Sequence, residues 1–274
     1  MLIAQITDFH VGRIIETTAG PIDLYHRLLE AVDHINALDA QPDLVVITGD
    51  ISNHGREEDY IRTKAALDTL KMPYLIVPGN HDHRQRVRDI FSDHGYLQSN
   101  SNFLNYTIEE LPLRLIALDT LDPGQHHGLL CNERLQWLEQ TLSEQPNKPT
   151  LIFMHHPPAP VQYPYMDAMN CKNGDKMKQI IEQHRQVKAI ACGHLHRDAT
   201  VNWADTLLFV TGSSAFSYDL LMDEVPDIDP VFEPGICRLF YWSENTGLVS
   251  HLTFIGDYPG GVTEGVPTPP KSTP

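Results

Sequence analysis

Five short segments of this 274-residue chain carry carboxylate, imidazole and amide side chains at intervals that suit a metal site. Asp8 and His10 stand as D-x-H in "TDFH". Asp50 closes "TGD". Asn80 and His81 follow Gly79 in "VPGNHDH". His155 and His156 close "TLIFMHH", and His194 and His196 form "GHLH". Taken singly these are weak, because strand-Gly-Asp and Gly-Asn are common turns. The strongest single piece is "GHLH", since residues i and i+2 of an extended segment point the same way. Taken together they offer more nitrogen and oxygen donors than one tetrahedral zinc accepts. Such a set suits two ions sharing a bridging carboxylate, and the lack of thiolate favours Zn, Mn, Fe or Co. Two ions about 3.5–4 Å apart are a device for in-line displacement at phosphorus.

The segments that position these residues alternate in period. "LIAQIT" (2–7) precedes a helical stripe over 22–38, "LVVIT" (44–48) precedes a helix near 57–70, and "PYLIVP" (73–78) precedes a charged helix near 84–94. Apolar runs alternating with helical patterns imply a parallel sheet carrying helices. Asp82 with Gln85 three residues on reads as a capping pair for the third helix. Further along, "FLNYTIEELPLRLIALDT" reads as two tightly joined strands. A helix follows near 132–144, then the strand "TLIFM", a helix near 174–185, the strand "VKAIAC" and a strand-rich end. Every candidate ligand falls just after an apolar strand. In open α/β sheets, the crevice outside the carboxyl ends of the strands is where ligands bind.

Composition bounds the partners. Lys plus Arg is 20 against 36 Asp plus Glu, a formal charge of −16. A surface that acidic repels nucleic-acid polymers and anionic membranes, which need clustered Lys and Arg. A small phosphate ester remains compatible. The four Cys have no C-x-x-C spacing and read as free thiols in a reducing compartment. No basic leader or long apolar run is present, so the expected location is cytoplasmic. We read residues 1–256 as one domain. Residues 215–235 form an acidic excursion, a cap or a homo-oligomer contact, and 257–274 form a Pro/Gly-rich tail.

In this order, D-x-H, G-D, G-N-H-D, H and G-H-x-H over roughly residues 2–212 resemble the calcineurin-like metallophosphoesterase superfamily. "GDISNHGREEDY" and "MDAMNCKNGD" are similar to stretches of its bacterial cyclic-nucleotide and glycerophosphodiester phosphodiesterases, the class III phosphodiesterase-like branch. The resemblance implies an α/β fold, a four-layer α/β/β/α sandwich of two mixed sheets flanked by helices. It implies two divalent or mixed-valence metal ions, of Fe, Mn, Zn or Co. Asp8, His10, Asp50 and His196 would hold the first, and Asp50, Asn80, His155 and His194 the second. Asp50 would bridge, Asn80 would be a weak neutral ligand, and His81 would contact the substrate phosphate. Asn53 and His156 are further candidate substrate contacts, and His54, His83, His126 and His127 are candidates to line the cleft.

The departures bear on substrate. "GDISNHG" and "GNHDHR" offer no Arg pair to clamp a dianionic monoester, and Asn53 stands where purple acid phosphatases carry a Tyr ligand. Fewer cationic clamps suit a monoanionic diester. The expected activity is hydrolysis of small phosphodiesters by a metal-activated water. A phosphomonoesterase or nucleotidase is the first alternative. A scaffold without chemistry is the second, set against seven filled ligand positions.

Overall fold

The computed structural model describes residues 1–98, 101–223 and 227–259. The expected tail therefore lies outside the described residues from 260 onward. One sheet runs in the order Gly247–Ile255, Gly235–Ser243, Leu2–Ile6, Leu44–Ile47, Tyr74–Ile76. Its last three strands are parallel, and Gly235–Ser243 lies antiparallel to Leu2–Ile6. The second sheet runs Ala199–Trp203, Thr206–Val210, Val187–Cys192, Thr150–Met154, Arg114–Leu118, Tyr106–Ile108. It is parallel at the centre and antiparallel at both edges.

Period-two alternation stacks the two sheets. Leu115, Ala117, Leu151, Phe153, Ala189 and Ala191 share a cluster with the first sheet, where Phe240 meets Phe153 and Phe209 at 6.2 and 5.5 Å between centroids. The intervening residues Ile116, Ile152, Met154, Ile190 and Cys192 pack on Leu135, Leu138 and Leu142 of helix Asn132–Glu144 and on Met177 and Ile181 of helix Gly174–Ile181. Helix Leu24–Ala37 buries Leu28, Ala31, Val32 and Ile35 into the first sheet's cluster. Helices outside and two sheets inside give the expected α/β/β/α layering. No helix among the described residues is long and apolar enough to cross a membrane.

Local details differ from the sequence reading. Residues 14–23, only partly covered by the expected helix, form a hairpin of Ile14–Thr17 with Gly20–Asp23. The helix starts after it, capped by Asp23, which accepts from Tyr25 N at 3.0 Å. The helix after "GNHDH" spans Arg84–Ile90, and its cap is His83, not Asp82. Asp82 is buried and has other work. Its carboxylate accepts from the backbone N–H of Gly79, Ser52 and Ile51 (2.8, 3.2 and 3.3 Å) and from the Tyr60 hydroxyl at 3.1 Å. It ties the second and third ligand-bearing turns together. The excursion also leaves the core later than residue 215. Ala215, Phe216 and Ser217 are buried, and the first two pack with Ile15 and Leu24 behind the hairpin.

Candidate metal centre and cleft

Strand ends from both sheets converge on one cluster. Asp8 and His10 follow Leu2–Ile6, Asp50 follows Leu44–Ile47, Asn80 and His81 follow Tyr74–Ile76, His155 follows Thr150–Met154, and His194 and His196 follow Val187–Cys192. Asp8, His10, Asp50, His194 and His196 adopt left-handed backbone with φ between +48° and +74°. That region is costly for residues with a Cβ and persists where the surroundings enforce it, as at functional sites. The glycines beside them have steric reasons. A Cβ on Gly49, at φ +98°, would stand 2.5 Å from His155 Nδ1, and one on Gly79 would stand 2.2 Å from Asp50 Oδ1.

Each histidine commits one ring nitrogen outward, which fixes its tautomer and leaves the other facing in. His155 Nδ1–H donates to Thr48 O at 2.6 Å, His196 Nδ1–H to Phe216 O at 2.9 Å, and His194 Nε2–H to Met169 O at 3.1 Å. His10 Nδ1–H donates to Asn53 Oδ1 at 3.1 Å. The inward nitrogens of His10 and His196 then crowd together without protons. His10 Nε2 and His196 Nε2 are 3.1 Å apart, two lone pairs facing each other. Asp8 Oδ1, 3.5 Å from His196 Nε2, is buried with no partner, while Asp8 Oδ2 accepts from Thr7 Oγ1 and His194 N. Unpartnered buried acceptors need a counter-charge. These residues fit metal ions, and the ligand atoms of Asp8, His10 and His196, and of Asp8, Asp50 and His155, lie close enough together to hold one.

Asp50 stands at the centre. Its Oδ1 accepts from His81 N at 2.9 Å, and its Oδ2 lies 3.4 Å from His10 Nε2 and 3.5 Å from His155 Nε2. Asn80 Oδ1 reaches the same His155 nitrogen at 3.2 Å. The electrostatics follow from burial and neighbours. Burial alone would raise the Asp50 carboxyl, but the imidazoles of His155, His81 and His10 outweigh it and hold the group well below the usual range. Burial pushes His10, His194 and His196 down, so they are neutral ligand donors. His155 goes the other way. Burial disfavours its charge, but the Asp50 carboxylate and then Asp8 push it up to about 9.

A family model described as calcineurin-like phosphoesterase matches residues 1–198. The chain belongs to that family. A probable glycerophosphodiester phosphodiesterase GpdQ of Arcobacter nitrofigilis is 34% identical over 95% of both chains. The 3',5'-cyclic adenosine monophosphate phosphodiesterase CpdA of Escherichia coli K12 is 24% identical over 79% of this chain and 77% of its own. Among solved structures, a dimetal phosphatase from Danio rerio superposes with a TM-score of 0.65 at 16% identity, covering 93% of this chain and 99% of the other. That likeness speaks to the fold, the metallophosphoesterase sandwich.

In this phosphoesterase the cluster opens into a cleft of about 350 Å3 lined by His10, Asp50, Asn80, His81, His194 and His196. His81 Nδ1–H donates to the Asn53 carbonyl at 2.8 Å, leaving Nε2 for the cleft. Two expected substrate contacts are placed elsewhere. Asn53 does not line the cleft, because its side chain is engaged by His10 and its carbonyl by His81. His156 is fully buried behind His155 and His194, with Nδ1 2.8 Å from Thr120 Oγ1, and has no access to substrate. Of the four unassigned histidines His126 alone lines the cleft, 6.2 Å from the His81 ring. His127 sits 3.3 Å from Asp122, and His83 caps its helix.

Part of the wall escaped the sequence reading. Arg13 and Tyr165 carry no motif, while Met166 and Met169 come from "MDAMNCKNGD" and Tyr218, Asp227, Ile228 and Pro230 from the acidic excursion; together they complete the lining. Arg84, the cation next to the third motif, is spent on Asp119 and the Leu121 carbonyl.

Proposed function

We propose that this calcineurin-like phosphoesterase hydrolyses small phosphodiesters at a centre of two metal ions. Asp8, His10, Asp50 and His196 hold the first, and Asp50, Asn80, His155 and His194 the second. The observation that carries the reading is Asp50 Oδ2, set almost equally from His10 Nε2 and His155 Nε2, one imidazole of each site. Fe, Mn, Zn and Co all suit this nitrogen and oxygen set. When bound, the ions supply activated water and neutralise charge on the phosphoryl oxygens.

The chain's own residues do the rest. Asp50, held ionised, spans the two sites and is oriented through Oδ1 by the His81 backbone. His81, its Nδ1–H fixed on the Asn53 carbonyl, points Nε2 at the substrate. From there it hydrogen-bonds a phosphoryl oxygen or the leaving group. Asn80 contributes a neutral oxygen and so the weaker hold on the second ion. Tyr218, Ile228 and Pro230, from the excursion beyond the buried residues 215–217, wall the cleft of a single catalytic domain over 1–256.

The substrates we propose are glycerophosphodiesters and 3',5'-cyclic nucleotides such as cyclic AMP, on the named activities of the relatives. Poverty in cations supports a monoanionic diester over a dianionic monoester, since Arg13 is the only Lys or Arg among the described lining residues. Metal-reconstituted protein is expected to turn over bis(p-nitrophenyl) phosphate at least about tenfold faster than p-nitrophenyl phosphate. Faster monoester turnover would install the phosphomonoesterase reading instead.

A further inference from the structure

Arg13 lies three residues after the ligand His10, at the start of the hairpin, and plays no part in the chemistry above. Its guanidinium rests 4.9 Å over the Phe216 ring and beside the Tyr218 phenol. Phe216 in turn stands 4.3 Å from the His196 ring and 5.6 Å from the His10 ring. The charge is thus one aromatic ring beyond His10 and His196, on the wall of the same cleft. Among the described residues no carboxylate pairs with it, in contrast to Arg84 and Arg197, which pair with Asp119 and Glu233.

A phosphodiester carries one negative charge, and the metal centre with His81 accounts for that charge. A guanidinium held over an aromatic face still offers N–H donors in a fork that matches carboxylate or phosphate oxygens. The excess of acid over the whole chain makes a lone cation in this cleft more conspicuous. Asp227, the other acid besides Asp50 among the described lining residues, leaves an ammonium group on the same arm tolerable.

Resting on the phosphodiesterase reading, we infer that Arg13 is a specificity-determining residue that binds a second oxyanion, a carboxylate or a phosphate, on an alcohol arm of the diester. Metal-loaded wild type, Arg13→Met and the charge-retaining Arg13→Lys are compared on two matched substrate pairs. Glycerophosphoserine and glycerophosphoethanolamine differ by one carboxylate, and pApA and ApA by one terminal phosphate. The quantity read is the ratio of kcat/KM within each pair. Arg13→Met should lower that ratio about tenfold or more in at least one pair, chiefly through KM, with Arg13→Lys in between. The pair that responds identifies the oxyanion. An unchanged ratio in both pairs overturns the assignment. If the wild type turns over no diester, the phosphodiesterase reading has failed, and calorimetric binding of phosphoserine against phosphoethanolamine decides Arg13 separately. A preference for phosphoserine that Arg13→Met erases supports it. Equal loss of both ligands, or loss of neither, overturns it.

Discussion

At the scale of single residues, the centre is organised by groups that never touch an ion. Asn53 holds His10 by its side chain and His81 by its carbonyl, so one residue orients both the proposed metal ligand and the imidazole proposed to face the phosphate. Asn53→Ala removes the first contact and keeps the second. We expect it to weaken the site containing His10 about 10- to 100-fold, the usual cost of losing a ligand's outer hydrogen bond. Competition with a calibrated chelator measures this, and unchanged affinity would remove Asn53 from the role. His155 gives a pH signature. With its metal-free pKa pushed up to about 9, it is protonated at pH 7 and must shed that proton to bind metal. Apparent affinity should therefore rise with pH through neutrality and level off near that value. Calorimetry in buffers of different ionisation enthalpy should find proton release at pH 7, and none would contradict the assignment. The convergence of the candidate ligand residues was legible in the sequence, because imidazole and carboxylate recur at five strand ends that the fold brings together. Asn53 was legible as a position but not as a role, since its partners come from residues 43 and 28 positions away.

At the scale of elements, the pattern read well where periodicity was long and poorly where a few residues decide. The strands Leu44–Ile47, Thr150–Met154 and Val187–Cys192 announced themselves as apolar runs bounded by turns. The Ile14–Thr17 hairpin did not, being four residues per arm with no alternation to mark it. Asp82 misled because an acid three residues before Gln85 looks like a cap, whereas burial made it worth more as an acceptor for three backbone N–H groups. Asp82→Ala would strand those donors and the Tyr60 hydroxyl. At about 1–3 kcal/mol per unsatisfied group, partly relieved by water, we expect a loss of about 3 kcal/mol or more. Urea unfolding of the metal-free protein measures it, and a loss below about 1 kcal/mol would show that Asp82 is not the tie between the two turns.

At the scale of the whole molecule, two sheets deliver ligands to one crevice from opposite sides. The first sheet supplies Asp8, His10, Asp50 and Asn80, and the second supplies His155, His194 and His196. That convergence follows from parallel strands ending on one edge, which the alternating periods announced. The cleft wall did not follow, because Arg13, Tyr165 and Ile228 come from segments far apart in the chain that line one cleft only through tertiary packing. The account's central claim is that the crevice holds two ions bridged by Asp50. Calorimetric titration of metal-free protein with Mn(II) tests it most directly. Two equivalents per chain are predicted for the wild type, the weaker of them absent in Asn80→Ala. A single equivalent in the wild type, or two undiminished equivalents in Asn80→Ala, would contradict it.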